Sequence, residues 1–436
     1  MNYVRINVIS FPIKVVILTL CLILGLFSQI GMALTTLISL VMFFTSGTDE
    51  RVYIMFFLFP FATIIKLDVT SISLFYIILF GAVMSTFIVQ KPNIIRSVGG
   101  LFLLLSGYIF VLGFLGDFIE SITLSLSFAY VILLMLDVEE IDYIKLIRTV
   151  AISEIIGSVM ALFQDFFPRL NIEYAGFEDS ESEYSRFGGL LTNPNNYTVL
   201  INILIACFLL LYIKGLTKKI DIVLLITLIV FGFMSLSKSF IVCLVITAFF
   251  VVAVLFRNEP KKFIIFIIIA FIAGLIMFGT SLRQYIDVFS YRFSADIEDD
   301  ATLSSMTTGR TDYWQMYFDY FIHNPIKFVF GKGLGGGTLN GHAAHNTYIE
   351  TIYYIGLIGL FLVASFWIIV IKCVKKNYGL VFYIPLLAML VRCAARTLLL
   401  EPQFVFLFML CVFAFSSNMD GYNIAIIPRK DAKCIE

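Results

Sequence analysis

Charge is what this sequence has least of. Asp, Glu, Lys and Arg make up only 14% of its 436 residues, against about 25% in soluble domains. Too few ionised groups are present to clothe a water-facing surface, so a soluble enzyme is excluded. The 30 basic residues are matched by 30 acidic ones, and a chain without net charge offers nothing to hold a nucleic acid or another polyanion. Histidine is scarcer still, at 3 residues. The 7 cysteines sit in or beside apolar runs (Cys21, Cys207, Cys243, Cys393, Cys411) or in basic segments (Cys373, Cys434). None falls in a long polar stretch and no CxxC occurs, which removes a disulfide framework and a structural zinc site of that spacing. Internal repeats of solenoid or propeller period and low-complexity tracts are also missing.

What fills the chain instead is apolar: 60% of residues are hydrophobic and the mean hydropathy is +0.98. A membrane-spanning helix needs roughly 20 such residues. Candidate runs cover 14–30, 31–45, 52–66, 70–90, 97–115, 120–136, 149–168, 196–213, 220–236, 239–256, 263–280, 347–371, 378–395 and 398–417. The second and third are short, so the pattern predicts an all-α polytopic membrane protein of about 12 to 14 transmembrane helices. Arg5 and Lys14 precede the first run as in a signal peptide. The stretch Leu22 to Ile30 holds no convincing small-residue cleavage site, however, and the run reads as a retained helix.

Basic residues orient such a bundle. With both termini in the cytoplasm, Arg51, Lys91, Arg96, Lys145, Arg148, the Lys214 to Lys219 cluster, the Arg257 to Lys262 cluster, Lys372, Lys375, Lys376 and the Arg429 to Lys433 cluster all fall inside. The two long loops, 169–195 and 281–346, then face out. The second has about 65 residues, near the lower limit for a domain of its own. Residues 1–436 therefore read as a single integral membrane domain with two extracytoplasmic loops carrying short interfacial helices, and any chemistry must be done at the outer surface.

Outer loops normally avoid Lys and Arg, so the basic residues left outside ask for a reason. Arg186 opens the stretch Arg186-Phe187-Gly188-Gly189, followed by Asn193-Pro194-Asn195-Asn196, where Asn193 is suited to cap a helix that Pro194 begins. Ser237-Lys238-Ser239 stands at the outer start of another span. Gly309-Arg310 leads into an aromatic segment containing Tyr313, Trp314, Tyr317, Phe318, Tyr320 and Phe321, which predicts an amphipathic interfacial helix stopped by Pro325. Gly331-Lys332-Gly333 and His342-Ala343-Ala344-His345-Asn346 follow, with Asn346 suited to cap the next span. Arg392 and Arg396 are spaced for one helical face, ahead of Glu401. A helix N-terminus beside an Arg or Lys favours an anion, most commonly phosphate or pyrophosphate.

Plainer roles stand beside each of these. Position alone allows Arg186 and Arg310 to be interface residues whose charged ends snorkel to water. Lys238, Arg392 and Arg396 near membrane depth suit either an ion pair with Glu401 or substrate. The aromatic stripe suits an interfacial belt as well as a sugar platform. Gly331 to Gly336 spells GxGxxG, but it follows no strand and carries no dinucleotide signal. His342 and His345 lack the further ligands a metal site needs, so no metal is expected. The acidic runs Glu178 to Glu183 and Asp296 to Asp300 read as solvated.

Taken together, Arg186-Phe187-Gly188-Gly189 with Asn193-Pro194-Asn195, Ser237-Lys238-Ser239, Gly309-Arg310 with Trp314 and Asn324-Pro325, Gly331 and Gly333, and His345-Asn346-Thr347-Tyr348 with Gly356 and Gly359 resemble the O-antigen polymerase and O-antigen ligase superfamily over about 180–370. The first 170 residues match it only as a hydropathy profile. One departure is Lys238, where members of that superfamily often carry Arg, whose planar fork suits phosphate better.

The resemblance implies a metal-independent glycosyltransferase of the bacterial inner membrane that needs no cofactor. Its donor would be an undecaprenyl-diphosphate-linked oligosaccharide, and its partners membrane lipids, a flippase and a chain-length regulator. A polymerase joining repeat units is favoured over a ligase transferring the finished chain to lipid A-core, with a protein-targeting ligase or a transporter of lipid-linked sugars ranked lower. Arg186 and Arg310, helped by Lys238 and Arg396, would stabilise the leaving diphosphate. His345, then His342, would orient or deprotonate the acceptor. Asn193, Asn195, Asn346, Arg392 and Trp314 complete the expected substrate contacts.

Overall fold

A computed structural model of the chain describes residues 10–67, 73–90, 96–137, 140–173, 177–178, 186–191, 193–258, 260–264, 310–335, 338–375, 377, 379–396, 398, 402–416 and 424–425. The run at 263–280 beyond 264, the first part of the second long loop (281–309), Glu401 and the Arg429 to Lys433 cluster lie outside them.

The described residues are about 83% helical. In chain order the helices are α1 (Phe11–Gly25), α2 (Gln29–Thr45), α3 (Thr48–Leu58), α4 (Phe75–Gln90), α5 (Arg96–Gly113), α6 (Phe118–Asp137), α7 (Tyr143–Leu162), α8 (Pro168–Glu173), α9 (Pro194–Lys214), α10 (Lys219–Met234), α11 (Lys238–Asn258), α12 (Arg310–His323), α13 (Pro325–Phe330), α14 (Thr347–Val374), α15 (Ile384–Ala395) and α16 (Pro402–Ser416). Strand is confined, among the described residues, to two antiparallel pairs of two residues each: Glu140–Ile141 with Ile424–Ala425, and Phe177–Glu178 with Arg186–Phe187.

By length and apolarity, α9, α11 and α14 qualify to cross a bilayer, and shorter apolar helices surround them. Their surfaces differ in a way that orders the bundle. The apolar window of α9 is 89% buried, against 33% for α11 and 39% for α14. A helix that is apolar all round and buried all round belongs at the centre, and α9 packs there against α10, α11 and α15. The Phe404 to Phe415 segment of α16 is buried throughout, with Phe408 stacked on Trp367 of α14 at 3.9 Å between ring centroids. On the periphery, Ile13, Val16, Leu20 and Leu24 of α1 recur at three- and four-residue spacing and are each more than half exposed. Such a stripe faces lipid tails in a membrane protein.

Two expected boundaries move. The run at 149–168 belongs to a helix that begins at Tyr143, because the Asp142 carboxylate accepts the Lys145 amide at 3.0 Å and caps it. Pro325 does not merely stop the aromatic helix. It opens α13 as a first-turn residue, a place where a missing N–H costs nothing.

One glycine shapes the α13–α14 region. Gly356 breaks α14 with φ 69° and ψ 178°, and a Cβ there would lie 2.3 Å from the Val329 carbonyl. The carbonyls freed before the break are not left bare. Lys332 N–H donates to Tyr353 O at 2.9 Å, and Gly333 N–H to Tyr354 O at 3.0 Å. Tyr108 OH donates to both Phe330 O and Ile355 O, at 2.7 and 3.0 Å. Irregular backbone at membrane depth survives only with such internal partners.

Candidate active site

Three helices begin at the same end of the bundle. Asn193 caps α9, accepting the Asn195 and Asn196 amides at 2.9 and 3.4 Å. Ser237 accepts the Phe240 amide at 3.3 Å at the start of α11. Asn346 caps α14, accepting the amides of Tyr348 and Ile349 at 3.0 and 3.3 Å. Since a cap occupies the side-chain oxygen, Asn193 and Asn346 retain only their amide nitrogens for any ligand.

Asn195 joins the first two of these starts. Its side-chain oxygen accepts Ser237 Oγ at 2.7 Å and Arg186 Nη2 at 3.4 Å. Its backbone carbonyl accepts Arg392 Nη2. Arg392 also donates to Ser239 Oγ at 2.6 Å and Thr198 Oγ1 at 3.1 Å. The side chain is wholly buried, and its Nε is without a hydrogen-bond partner among the described residues.

The remaining guanidiniums come from the α12 and α15 ends. Arg310, the first residue of α12, donates to Ala395 O at 3.3 Å, the carbonyl that ends α15. Arg396 does not share a helical face with Arg392. The helix stops at Ala395, and Arg396 is extended, with φ −155° and ψ 153°. Its carbonyl accepts the Thr347 hydroxyl, which in turn accepts Leu398 N–H at 2.9 Å. Burial, and then the charge of Arg396, lower the Arg310 pKa from its ordinary value. Lys238 is half-buried as the first residue of α11.

The two histidines part company. His342 is exposed and stacks on Tyr313 at 4.8 Å between centroids. His345 turns inward in the left-handed region, with φ 49°, and its amide donates to Glu350 Oε1 at 2.8 Å. Holding a non-glycine residue there costs of order 1–3 kcal/mol and concentrates at functional sites. Leu236, two residues before Lys238, has the same strain at φ 49°. Trp314 serves the loop's geometry, its Nε1 donating to Ala344 O at 2.8 Å. Tyr317, Phe321, Ala344, Ile349 and Tyr353 close a small apolar cluster behind it, while Phe318, Ile322, Ile326 and Phe330 stay exposed on the other face of α12 and α13.

Burial, then Arg396 and Arg310, hold the His345 imidazole down at about 4 from its ordinary 6.5. It is therefore neutral, and able to accept a proton, through the physiological range. The acid limb of kcat/KM is expected near pH 4, and Arg310→Ala, which removes one repelling cation, should move it upward. Stability carries the same sign. Because the unfolded chain takes the proton first, stability rises with pH between about 4 and about 6.5. A pH profile of the purified protein checks both, and a limb near 6.5 unchanged by Arg310→Ala would show that these charges do not act on His345.

The other end of the molecule is built differently. Lys14 pairs with Glu50 at 2.5 Å, and Arg148 grips Asp221 through two bonds of 2.6 and 2.8 Å. Among the described residues Arg310 and Arg392 meet only neutral oxygens, so their charge is not spent on a carboxylate. No group of three His, Cys, Asp or Glu side chains fit to hold a metal occurs among those residues.

Arg310 and Arg392, each held by neutral oxygens, thus stand beside the N-termini of α9, α11 and α14, an arrangement that favours an anion. Residues 222–364 match the family model of the O-antigen ligases. The match is consistent with the O-antigen polymerase and ligase superfamily, whose members are glycosyltransferase-like enzymes acting on lipid-linked polysaccharide. The matched region takes in Lys238, Arg310, Trp314, His342, His345 and Asn346, while Arg186, Asn193, Asn195, Arg392 and Arg396 lie outside it. No curated protein and no solved structure matches the chain.

Periodicity gave no sign of Thr198, Thr347 or Glu350. Each is a polar residue in an apolar helix that holds a cation or a loop through its side chain. Thr347 figured only in the stretch His345-Asn346-Thr347-Tyr348, and the one visible mark of Thr198 and Glu350 was polarity near the start of a span.

Proposed function

We propose that the chain polymerises surface polysaccharide, joining oligosaccharide repeat units carried on undecaprenyl diphosphate at the outer face of the bacterial inner membrane. The observation that carries this reading is the contrast in charge pairing. At one end Lys14 and Arg148 are matched by carboxylates, whereas Arg310 and Arg392 at the other are held by neutral oxygens. Positive charge preorganised in a water-poor site is what a developing diphosphate needs.

The reaction is a displacement. The acceptor hydroxyl oxygen bonds to the anomeric carbon, the bond from that carbon to the diphosphate breaks, and the lipid diphosphate leaves with the electron pair. The hydroxyl proton passes to the neutral His345 imidazole. Arg310 faces the leaving group with Arg186, Arg396 and Lys238 around it, and His342, exposed on Tyr313, serves at most the mouth of the site. Both termini lie in the cytoplasm in this reading. A flippase supplies the donor at the outer face, and a chain-length regulator sets the product length. Transport fits less well, since midplane sites and repeated halves are its usual marks.

The description of the matched family favours a second reading, transfer of finished polymer to lipid A-core. A deletion strain separates the two. Loss of a polymerase leaves lipid A-core bearing a single repeat unit. Bare core, with polymer accumulating on undecaprenyl diphosphate, would establish the ligase instead.

A further inference from the structure

A cavity of about 340 Å³ lies between α7, the Phe59–Phe61 turn and α9, inside the range of about 300–1,000 Å³ typical of small-ligand sites. Phe59, Pro60, Tyr76, Glu154, Asn196 and Leu398 are among its walls. Glu154 is 8% exposed, and its carboxyl makes no hydrogen bond or ion pair among the described residues. The Asn196 side-chain oxygen is likewise buried without a partner among them. An unpartnered carboxyl in an apolar wall costs folding free energy, and an ionisable residue at membrane depth is by default a functional one.

The cavity adjoins the cationic cluster. Asn196 follows Asn195, which Arg186 and Arg392 both contact. Leu398 donates to the Thr347 hydroxyl that also bonds Arg396. Two neighbouring compartments thus differ in kind, one rich in donors and positive charge, the other offering acceptor oxygens between aromatic and aliphatic walls.

We propose that this cavity is the subsite for a neutral, hydroxyl-bearing sugar ring, the acceptor, oriented by hydrogen bonds from its hydroxyls to the Glu154 carboxyl and the Asn196 amide oxygen. The assignment rests on the glycosyl-transfer reading above. Phosphate is repelled by the same oxygens, and a lipid tail would leave both of them unpartnered. A sugar satisfies them while laying its apolar C–H face on Phe59, Pro60 or Tyr76. Its position beside the cluster points a free hydroxyl toward the carbon from which the diphosphate departs.

The test is equilibrium binding to the purified full chain in lipid nanodiscs. Two radiolabelled probes are used: undecaprenyl diphosphate without sugar, and the free oligosaccharide released by mild acid from the host's lipid-linked repeat unit. Glu154→Leu is expected to weaken oligosaccharide binding about tenfold, as removing a buried hydrogen-bond partner does. It should leave undecaprenyl diphosphate binding unchanged. Glu154→Gln, which keeps the volume and an acceptor oxygen, should hold most of the oligosaccharide affinity. The midpoint of thermal unfolding should stay level or rise in Glu154→Leu, since an unpartnered buried acid is removed.

Oligosaccharide binding that is absent from the wild type, or undiminished in Glu154→Leu, overturns the subsite. So does equal loss in the Gln and Leu variants, which would mean a cationic ligand held by charge. If instead the oligosaccharide depends on Glu154 while undecaprenyl diphosphate fails to bind the wild type, the subsite stands and the proposed donor falls.

Discussion

Replacing Arg310 with alanine is expected to lower transfer a hundredfold to a thousandfold, the cost of removing one preorganised charge-stabilising donor, about 2.7–4 kcal/mol. Three features support the proposal that it faces the leaving group. It opens α12, where free N–H groups reinforce its charge. It is held by the Ala395 carbonyl, with no carboxylate to neutralise it. It also sits close enough to Arg396 and His345 to act on the imidazole electrostatically. Arg310→Lys keeps the charge but loses the planar fork that grips two phosphate oxygens at once, so its activity should also fall well below wild type. An interfacial anchor would behave otherwise, because lysine snorkels equally well. Polysaccharide length on gels, with membrane levels of each variant checked by immunoblot, decides between the roles. Wild-type chain length from Arg310→Ala would remove the residue from the site.

What the sequence made legible about this site was local. A cap is written within four residues, so Asn193 and Asn346 could be placed before any fold was known, and the structure has both accepting the expected amides. Apolar runs are equally local, and most correspond to helices in the structure. The boundary at α7 was misplaced because Lys145 and Arg148 depress the hydropathy of a turn that Asp142 nevertheless caps. The convergence of cations was legible only in outline. Arg392 meets Asn195 across 197 positions of chain, a contact that no periodicity records. The spacing of Arg392 and Arg396 pointed to one helical face and was misleading, since the helix ends between them. Glu154 left no mark either: one acid in an apolar run looks the same whether it faces a cavity, a cation or a neighbouring serine.

Arg392 should show the opposite sensitivity to Arg310, tolerating lysine but not an apolar residue. It is wholly buried and so cannot touch the diphosphate. In the proposed reaction it is a positioning residue, acting through its charge and through Asn195. At a separation of about 8 Å and an effective dielectric of about 20, a unit charge contributes roughly 2 kcal/mol to an opposite one. Arg392→Leu is therefore expected to slow transfer about thirtyfold. The protein itself should remain folded. Replacing a buried charge with a packed apolar side chain is often neutral or stabilising, and Ser239 and Thr198 keep their other partners, Ser237 and the Pro194 carbonyl. Arg392→Lys retains the charge at the same depth and should keep most of the rate. Salt supplies a further readout, because a buried charge is screened far less than an exposed one. The loss in Arg392→Leu should then persist at high ionic strength. If Arg392 were only a tie between α15 and α9, activity would follow the folded fraction in both variants. Equal rates per folded molecule for Arg392→Leu and wild type would leave the field of this guanidinium without a part in the reaction.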